Sequence, residues 1–318
     1  MIYAGIDLGG TTIKGALVDE KGQILIQKAI PTGGERKQKE VVTDMANLIL
    51  ELMSEYGCDP EEVASVGVGS PGSIDPEAGI VVEANNFADF VNVPVRDIMY
   101  EILGKPIYVD NDANVAALGE SMFGAGEGRR NCVLCTLGTG LGGGVVIDGK
   151  IFSGAYHGGT ELGHTVIVAD GEQCTCGRKG CWEAYSSATA IIREGRKAAE
   201  ADPSSKLNEV CGGDLSTLNA KMVFDAADMG DEAANRVKDE YIKYLGLGLT
   251  NMINIFQPEV MMIGGGVCAQ GEKLLSPLRK ILDREVFAGQ FYKIKFKTAS
   301  LGNDAGVIGA AMLGKVNE

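Results

Sequence analysis

The chain has 318 residues, 45% of them hydrophobic and 23% charged, with a formal net charge of −14. That length is more than one compact core usually needs, and the composition is that of a soluble globular protein. The acidic balance argues against nucleic acid or an anionic membrane as partner, because it repels phosphate at long range; it leaves room for one nucleotide held by backbone amides and Mg²⁺. The start, MIYAGIDLGG, has no basic segment ahead of an apolar run, and no apolar stretch reaches ~18 residues, so a cytoplasmic protein without a membrane span is expected. Eight cysteines in such a chain read as thiols or metal ligands rather than disulfides.

In chain order, YAGIDLGG, TTIKGALVDEKG and QILIQKAI read as strand, glycine turn, strand and a further strand. Apolar residues at Val41, Val42, Met45, Leu48, Ile49 and Leu52 have a helical period. VASVGVGSPG reads as a buried strand running into a glycine-proline loop. KPIYVDNDANVAALGESMFG reads as a strand, an acidic turn and a helix that Asp112 would N-cap. RNCVLCTLGTGLGGGVVIDGKI is again strand, glycine turn, strand. A long helix is expected over 231–256, then the strand EVMMIGGGV, the helix QGEKLLSPLRKILD and one short small-residue helix, DAGVIGAAMLGK. Strands alternating with helices imply an α/β fold.

Two of these segments echo each other. DLGGTTIKGALVD (7–19) and TLGTGLGGGVVID (136–148) share leucine, glycine, glycine and aspartate at 8/137, 9/138, 15/144 and 19/148. Similar hairpins this far apart suggest two related lobes addressing one ligand. GTGLGG fits a dinucleotide-binding fingerprint, but a strand follows it where that fold needs a helix, and no Gly-Lys pair precedes Ser or Thr as a Walker loop requires. What remains is a hairpin loop whose N–H groups and threonine hydroxyls aim at an anion. Thr11, Thr12 and Lys14 would serve in the first, and Gly138, Thr139 and Gly140 in the second. Asp7, beside the first turn, could hold Mg²⁺ through water, or simply cap the turn.

Cys174, Cys176 and Cys181 read C-x-C-x4-C, with His164 ten residues upstream of the first. The spacing suits thiolate ligands, and His164 would complete a closed Cys3His zinc site. The net charge opposes a nucleic-acid knuckle and the filled fourth position opposes a catalytic metal, so a structural Zn²⁺ is expected. Glu161 and Glu183 flank the set. Cys132 and Cys135 form C-x-x-C, but on a strand those positions face opposite sides. Cys58, Cys211 and Cys268 read as buried small residues, and His157 as packed or bonded within its own loop.

Taken together, DLGGTTIKGALVD, GSPGSID, VDNDANVAALGE, TLGTGLGGGVVIDGKIFSGAYHGGTELGH, CTCGRKGCWEAY and IGGGV resemble the ROK family (repressors, open reading frames and kinases) of the actin-like ATPase superfamily, over the whole chain. The resemblance is greatest to that family's ATP-dependent glucokinases. It implies an actin-like, ribonuclease H-like α/β fold with two lobes around a central cleft: 1–118 plus 303–318, and 119–302. It implies ATP as cosubstrate, its phosphates on Asp7, Gly9, Gly10, Thr11, Thr12, Lys14, Gly138, Thr139 and Gly140, and its adenosine near Gly265 and Gly266. Glucose would meet Gly72, Asn86, Asn111, Asp112, Glu161, His164 and Glu183, although NNFADF departs from the family's usual loop around Asn86. The general base would be Asp112, with Asp110 as the rival that the sequence leaves open. A homodimer or larger homo-oligomer is expected. The repressor branch carries a helix-turn-helix ahead of the first hairpin; the intact Asp112 and the two phosphate hairpins make a kinase expected over a non-catalytic sugar sensor. Mannose, fructose and N-acetylmannosamine remain alternative substrates.

Overall fold

The computed structural model describes residues 1–84, 87–289 and 294–317. The chain opens with β1 (Ile2–Leu8), β2 (Thr12–Asp19), β3 (Ile24–Pro31) and α1 (Gln38–Tyr56). There follow β4 (Val63–Ser70), β5 (Ser73–Asp75), β6 (Ile80–Glu83), β7 (Val91–Val93), α2 (Val95–Leu103), β8 (Ile107–Asn111) and α3 (Asp112–Phe123). Next come β9 (Cys132–Leu137), β10 (Leu141–Ile147), β11 (Lys150–Ile151), α4 (Glu183–Ser186), α5 (Ala188–Ala201), α6 (Lys206–Val210), α7 (Ala220–Asp228) and α8 (Glu232–Phe256). The chain ends with β12 (Val260–Gly264), α9 (Glu272–Glu285), β13 (Lys295–Thr298), α10 (Ala305–Ala311) and α11 (Leu313–Asn317).

Two five-stranded sheets are ordered β3-β2-β1-β4-β8 and β11-β10-β9-β12-β13. The pattern is the same in both, so the short sequence echo belongs to a repeat of topology. In the first sheet β1–β2 and β2–β3 are antiparallel, while β1–β4 and β4–β8 are parallel. The chain divides into two compact units: residues 1–134, 144–160 and 299–318 form one, and 135–143 and 161–298 the other. No helix among the described residues is long and apolar enough to cross a membrane.

In the first unit the central strands β1 and β4 are buried on both faces, as parallel strands require, whereas the edge strand β3 has no buried residue. Ala4, Ile6 and Leu8 of β1 pack with Val41, Met45, Leu48 and Ile49 of α1, so the helical period read from the sequence is the buried stripe. On the opposite face α10 comes so near the strands that a Cβ at Gly5 would meet Val307 O at 2.1 Å, and one at Gly67 would meet Ala310 O at 1.8 Å. Contact that close excludes larger side chains on either partner. It accounts for the small residues of DAGVIGAA, although this segment is broken at Met312 into two helices rather than forming one. Glu120 of α3 is fully buried, and its carboxylate accepts from Ala125 N (2.8 Å), Ser300 N (2.9 Å) and Leu301 N (2.7 Å). It thereby fixes the chain that enters α10.

Two further expectations change. The cap of α3 is Asn111, whose Oδ1 accepts from Ala113 N and Asn114 N; Asp112 is the first residue inside the helix. Of the three cysteines read as buried, Cys211 is, whereas Cys58 and Cys268 are half-buried.

Candidate active site

In the first unit the β1–β2 hairpin turns through three residues, Gly9 to Thr11, closed by Gly9 N donating to Thr12 O (2.9 Å). Gly10, Thr11 and Thr12 are exposed. Asp7 and Lys14 are cross-strand partners at the mouth of this hairpin. Burial raises the Asp7 carboxyl to about 6; the charge of Asp112 adds to the rise and that of Lys14 opposes it. A Cβ at Gly306 would meet Asp7 Oδ2 at 2.8 Å, so the carboxylate lies on the backbone that opens α10. Lys14 Nζ donates to Asn303 O (2.5 Å) and pairs with Asp304 Oδ1 (3.1 Å). Its charge is thus shared with the turn ahead of α10.

The β8–α3 junction separates the two rival aspartates. Asp110 is buried, and its Oδ1 accepts from Asn111 N (2.7 Å) and Asn114 Nδ2 (2.9 Å). Burial raises its pKa, against those two hydrogen bonds. Asp112 is exposed at the first turn of α3, its Oδ1 taking Ala113 N at 2.8 Å. A helix N-terminus favours its ionised form. Asn111 Nδ2 donates to Gly72 O (3.2 Å), joining the PGSID loop to the same junction. Asn86 lies outside the described residues. His157 is bonded within its loop, Nδ1 lying 3.3 Å from Ser153 Oγ, and it sits 3.7 Å from Glu77.

In the second unit the corresponding turn is Gly138 to Gly140, closed by Gly138 N donating to Gly140 O (3.0 Å). Ala188 N donates to Gly138 O (2.9 Å) and Thr189 Oγ1 to Thr139 O (2.7 Å), which fixes this loop to the start of α5. Gly265 is left-handed, and a Cβ there would meet Leu137 O at 2.4 Å, so the IGGGV turn rests on the end of β9. Glu183 Oε2 accepts from Leu141 N (2.9 Å), the residue that follows the loop, and its Oε1 takes Thr175 Oγ1 (3.3 Å). A Cβ on Gly140 would lie 2.4 Å from that Oε2. The segment carrying Glu161 and His164 passes beside Glu183, since a Cβ on Gly163 would meet Leu141 O at 2.0 Å and Glu183 Cβ at 3.4 Å. Glu161 itself is exposed.

His164, Cys174, Cys176 and Cys181 converge, their ligand atoms all lying within 4.8 Å of one another. Cys176 Sγ is 3.6 Å from Cys181 Sγ, and His164 Nδ1 is 3.6 Å from Cys174 Sγ. Zinc–sulfur bonds of ~2.3 Å give tetrahedral edges of roughly 3.8 Å, so donor set and spacing both fit Zn²⁺. Burial pushes the Cys181 thiol up to about 12, with Cys176 and Cys174 adding to the rise; a cation among them would reverse that balance. Sequence reasoning missed Asn114, Thr175 and Thr189, whose local patterns are those of ordinary helix and loop residues.

The profile described as the ROK family matches residues 3–316. The chain belongs to the ROK family. Among ROK proteins it is 42% identical to a glucokinase of Thermotoga maritima, over 97% of this chain and 96% of that one. It is 38% identical to a glucokinase of Halalkalibacterium halodurans, over 99% and 96% of the two chains. Among solved ROK structures, a glucokinase from Streptomyces griseus in complex with glucose and AMPPNP aligns with a TM-score of 0.77 at 35% identity, covering 98% of this chain and 99% of that one. Those neighbours are sugar kinases with the actin-like ATPase fold, which is the fold of this chain.

Proposed function

We propose that this ROK protein is a glucokinase that transfers the γ-phosphoryl group of ATP to the 6-hydroxyl of glucose, with Asp112 as general base. The observation that carries the assignment is the split between the two aspartates. Asp110 is buried with two donors on one oxygen, whereas Asp112 stands exposed on the first turn of α3. Glucokinase relatives matched along nearly the whole chain support the substrate pair.

In this reading Asp112 takes the proton of the 6-hydroxyl as that oxygen bonds to the γ-phosphorus. The bond from phosphorus to the β–γ bridging oxygen breaks, and its electron pair leaves with ADP. Phosphoryl transfer leans mainly on positioning and on charge stabilisation, so what is asked of the base is chiefly its placement. The turns Gly9 to Thr12 and Gly138 to Gly140 would address the phosphates with threonine hydroxyls and with the N–H groups other than those of Gly9 and Gly138, which close the turns. Lys14 would add charge, and Gly265 and Gly266 would border the adenosine. Asp7 is the residue that would hold Mg²⁺, which when bound neutralises phosphate oxygens. Gly72, Asn86, Asn111, Glu161, His164 and Glu183 would orient the sugar. Bound by His164 and the three cysteines, Zn²⁺ would be structural. His164 faces Cys174 through Nδ1, so Nε2 is the nitrogen left for a sugar hydroxyl, and a metal on one ring nitrogen fixes the orientation of the other. We place the enzyme in the cytoplasm, in keeping with a sequence whose eight cysteines read as thiols or metal ligands.

The test is a coupled assay of ADP release across glucose, mannose, fructose and N-acetylmannosamine. Glucose should give the highest kcat/KM. A strong preference for N-acetylmannosamine would move the assignment to another ROK kinase, and no turnover with any hexose would leave a sugar-binding protein without catalysis.

A further inference from the structure

Asp110 and Asn114 have no ligand to hold in the proposed reaction, yet they form a buried, hydrogen-bonded polar pair in the first unit, 9% and 5% exposed. Asp110 is a β8 residue in parallel register with Gly69 of β4, so its backbone is fixed by the sheet. Its Oδ1 binds Asn111 N and Asn114 Nδ2 together, at 2.7 and 2.9 Å. Asn111 Oδ1 in turn holds Ala113 N at 2.9 Å and Asn114 N at 3.3 Å. Asn114 is pressed from outside as well, because a Cβ on Gly144 would lie 3.0 Å from its Cα. Residues 110 to 114 are thus linked to one another by hydrogen bonds, with further bonds from Thr160 Oγ1 to Asn114 Oδ1 (3.4 Å) and from Asn111 Nδ2 to Gly72 O, and with Asp112 exposed in the middle.

Capping alone does not require this arrangement. Asn111 already supplies the side-chain acceptor for the first turn of α3, and Asn114 Nδ2 is not one of the orphan backbone donors of a helix start. A buried carboxylate is also an expensive anchor, and burial does drive the Asp110 pKa upward. Its hydrogen bonds are charge-assisted and therefore short and directional, which suits holding a geometry.

We propose that Asn114, bonded to Asp110, is a positioning residue that sets the aim of Asp112 at the 6-hydroxyl. The inference rests on the reading of Asp112 as base. Asn114 touches no substrate in this scheme; it acts by fixing the turn from which Asp112 projects. Misplacing a reacting group by about 1 Å can lower turnover ~10²-fold, so partial loosening of the turn should lower kcat by roughly 10-fold.

The test is a kinetic cycle of N114A, D112N and the double variant, with kcat and both KM values measured. N114A alone should lower kcat by roughly 10-fold while the KM for ATP stays within about 2-fold and the KM for glucose, which Asn111 of the same turn would help to bind, rises by less than kcat falls. In the D112N background the same substitution should change kcat by less than about 2-fold, since there is no base left to aim. Equal loss in both backgrounds would mean a general structural role and would overturn the proposal. A second pair guards against misfolding. N114D sets two carboxylates against each other and should be poorly active, and adding D110N restores one donor and one acceptor and should recover turnover. Failure of the swap to improve on N114D would count against the proposal. The two readings separate cleanly: wild-type turnover in D112N removes the base assignment and this inference with it, whereas a normal N114A beside a crippled D112N removes the positioning role alone.

Discussion

Asp7 gives the sharpest test of whether the site trades stability for charge. Burial, helped by Asp112, lifts its pKa from 3.8 to about 6 in the folded protein. Between those two values the folded chain keeps a proton that the unfolded chain has lost, so stability falls as pH rises through this window. At about 1.4 kcal/mol per pH unit of difference, the penalty is ~3 kcal/mol once both states are ionised. Asp7→Asn keeps the shape and removes the titration. Relative to wild type, its unfolding free energy in the absence of nucleotide should therefore gain ~2–3 kcal/mol between pH 4 and pH 8, as read from urea melts. The same variant should lose Mg²⁺-dependent nucleotide binding, because the charge that destabilises the fold is the one that would hold the cation. A stability difference that stays flat from pH 4 to pH 8, or that turns against the variant at pH 8, would refute the reasoning.

Other outcomes follow from the zinc cluster and from Glu183. Cys176→Ser should lose stoichiometric zinc by mass spectrometry, raise the KM for glucose sharply and leave nucleotide affinity nearly unchanged; zinc-free protein that bound glucose like wild type would end the structural-clip reading. Glu183→Gln keeps one acceptor for Leu141 N but replaces the second oxygen by a donating amide nitrogen, and should weaken glucose binding by ~1–3 kcal/mol in calorimetry, with ATP binding altered far less. Comparable losses for both ligands would assign Glu183 to the loop rather than the sugar.

What the sequence made legible was whatever depends on neighbours in the chain. The stripe of α1, the two glycine turns and the Cys3His spacing are local patterns, and each has its counterpart in the fold. The Asp148-Gly149 turn between β10 and β11 is of the same kind, with both residues left-handed as a two-residue hairpin turn demands. Less legible was anything decided by a distant partner. The strands β5, β6 and β7 have three or four residues each, too few to show a period. Asn111 and Asp112 are both good cap types, and only the register of β8 makes Asn111 the cap. Glu120 looks like a surface residue of an alanine-rich helix, yet it is an internal acceptor for residues 180 positions away. For the same reason the motif that points to Asp112 as base, with Asp110 as rival, carries no sign that Asp110 is buried and Asp112 exposed.

The central claim is that Asp112 is the base for phosphoryl transfer to glucose. The most direct measurement is ATP-dependent formation of glucose 6-phosphate by Asp112→Asn and Asp110→Asn, alongside the glucose Kd of each. The account predicts that Asp112→Asn binds glucose as wild type does while kcat falls ~10²-fold or more, in the range of general-base contributions, and that Asp110→Asn is milder. Turnover of Asp112→Asn comparable with wild type would contradict it.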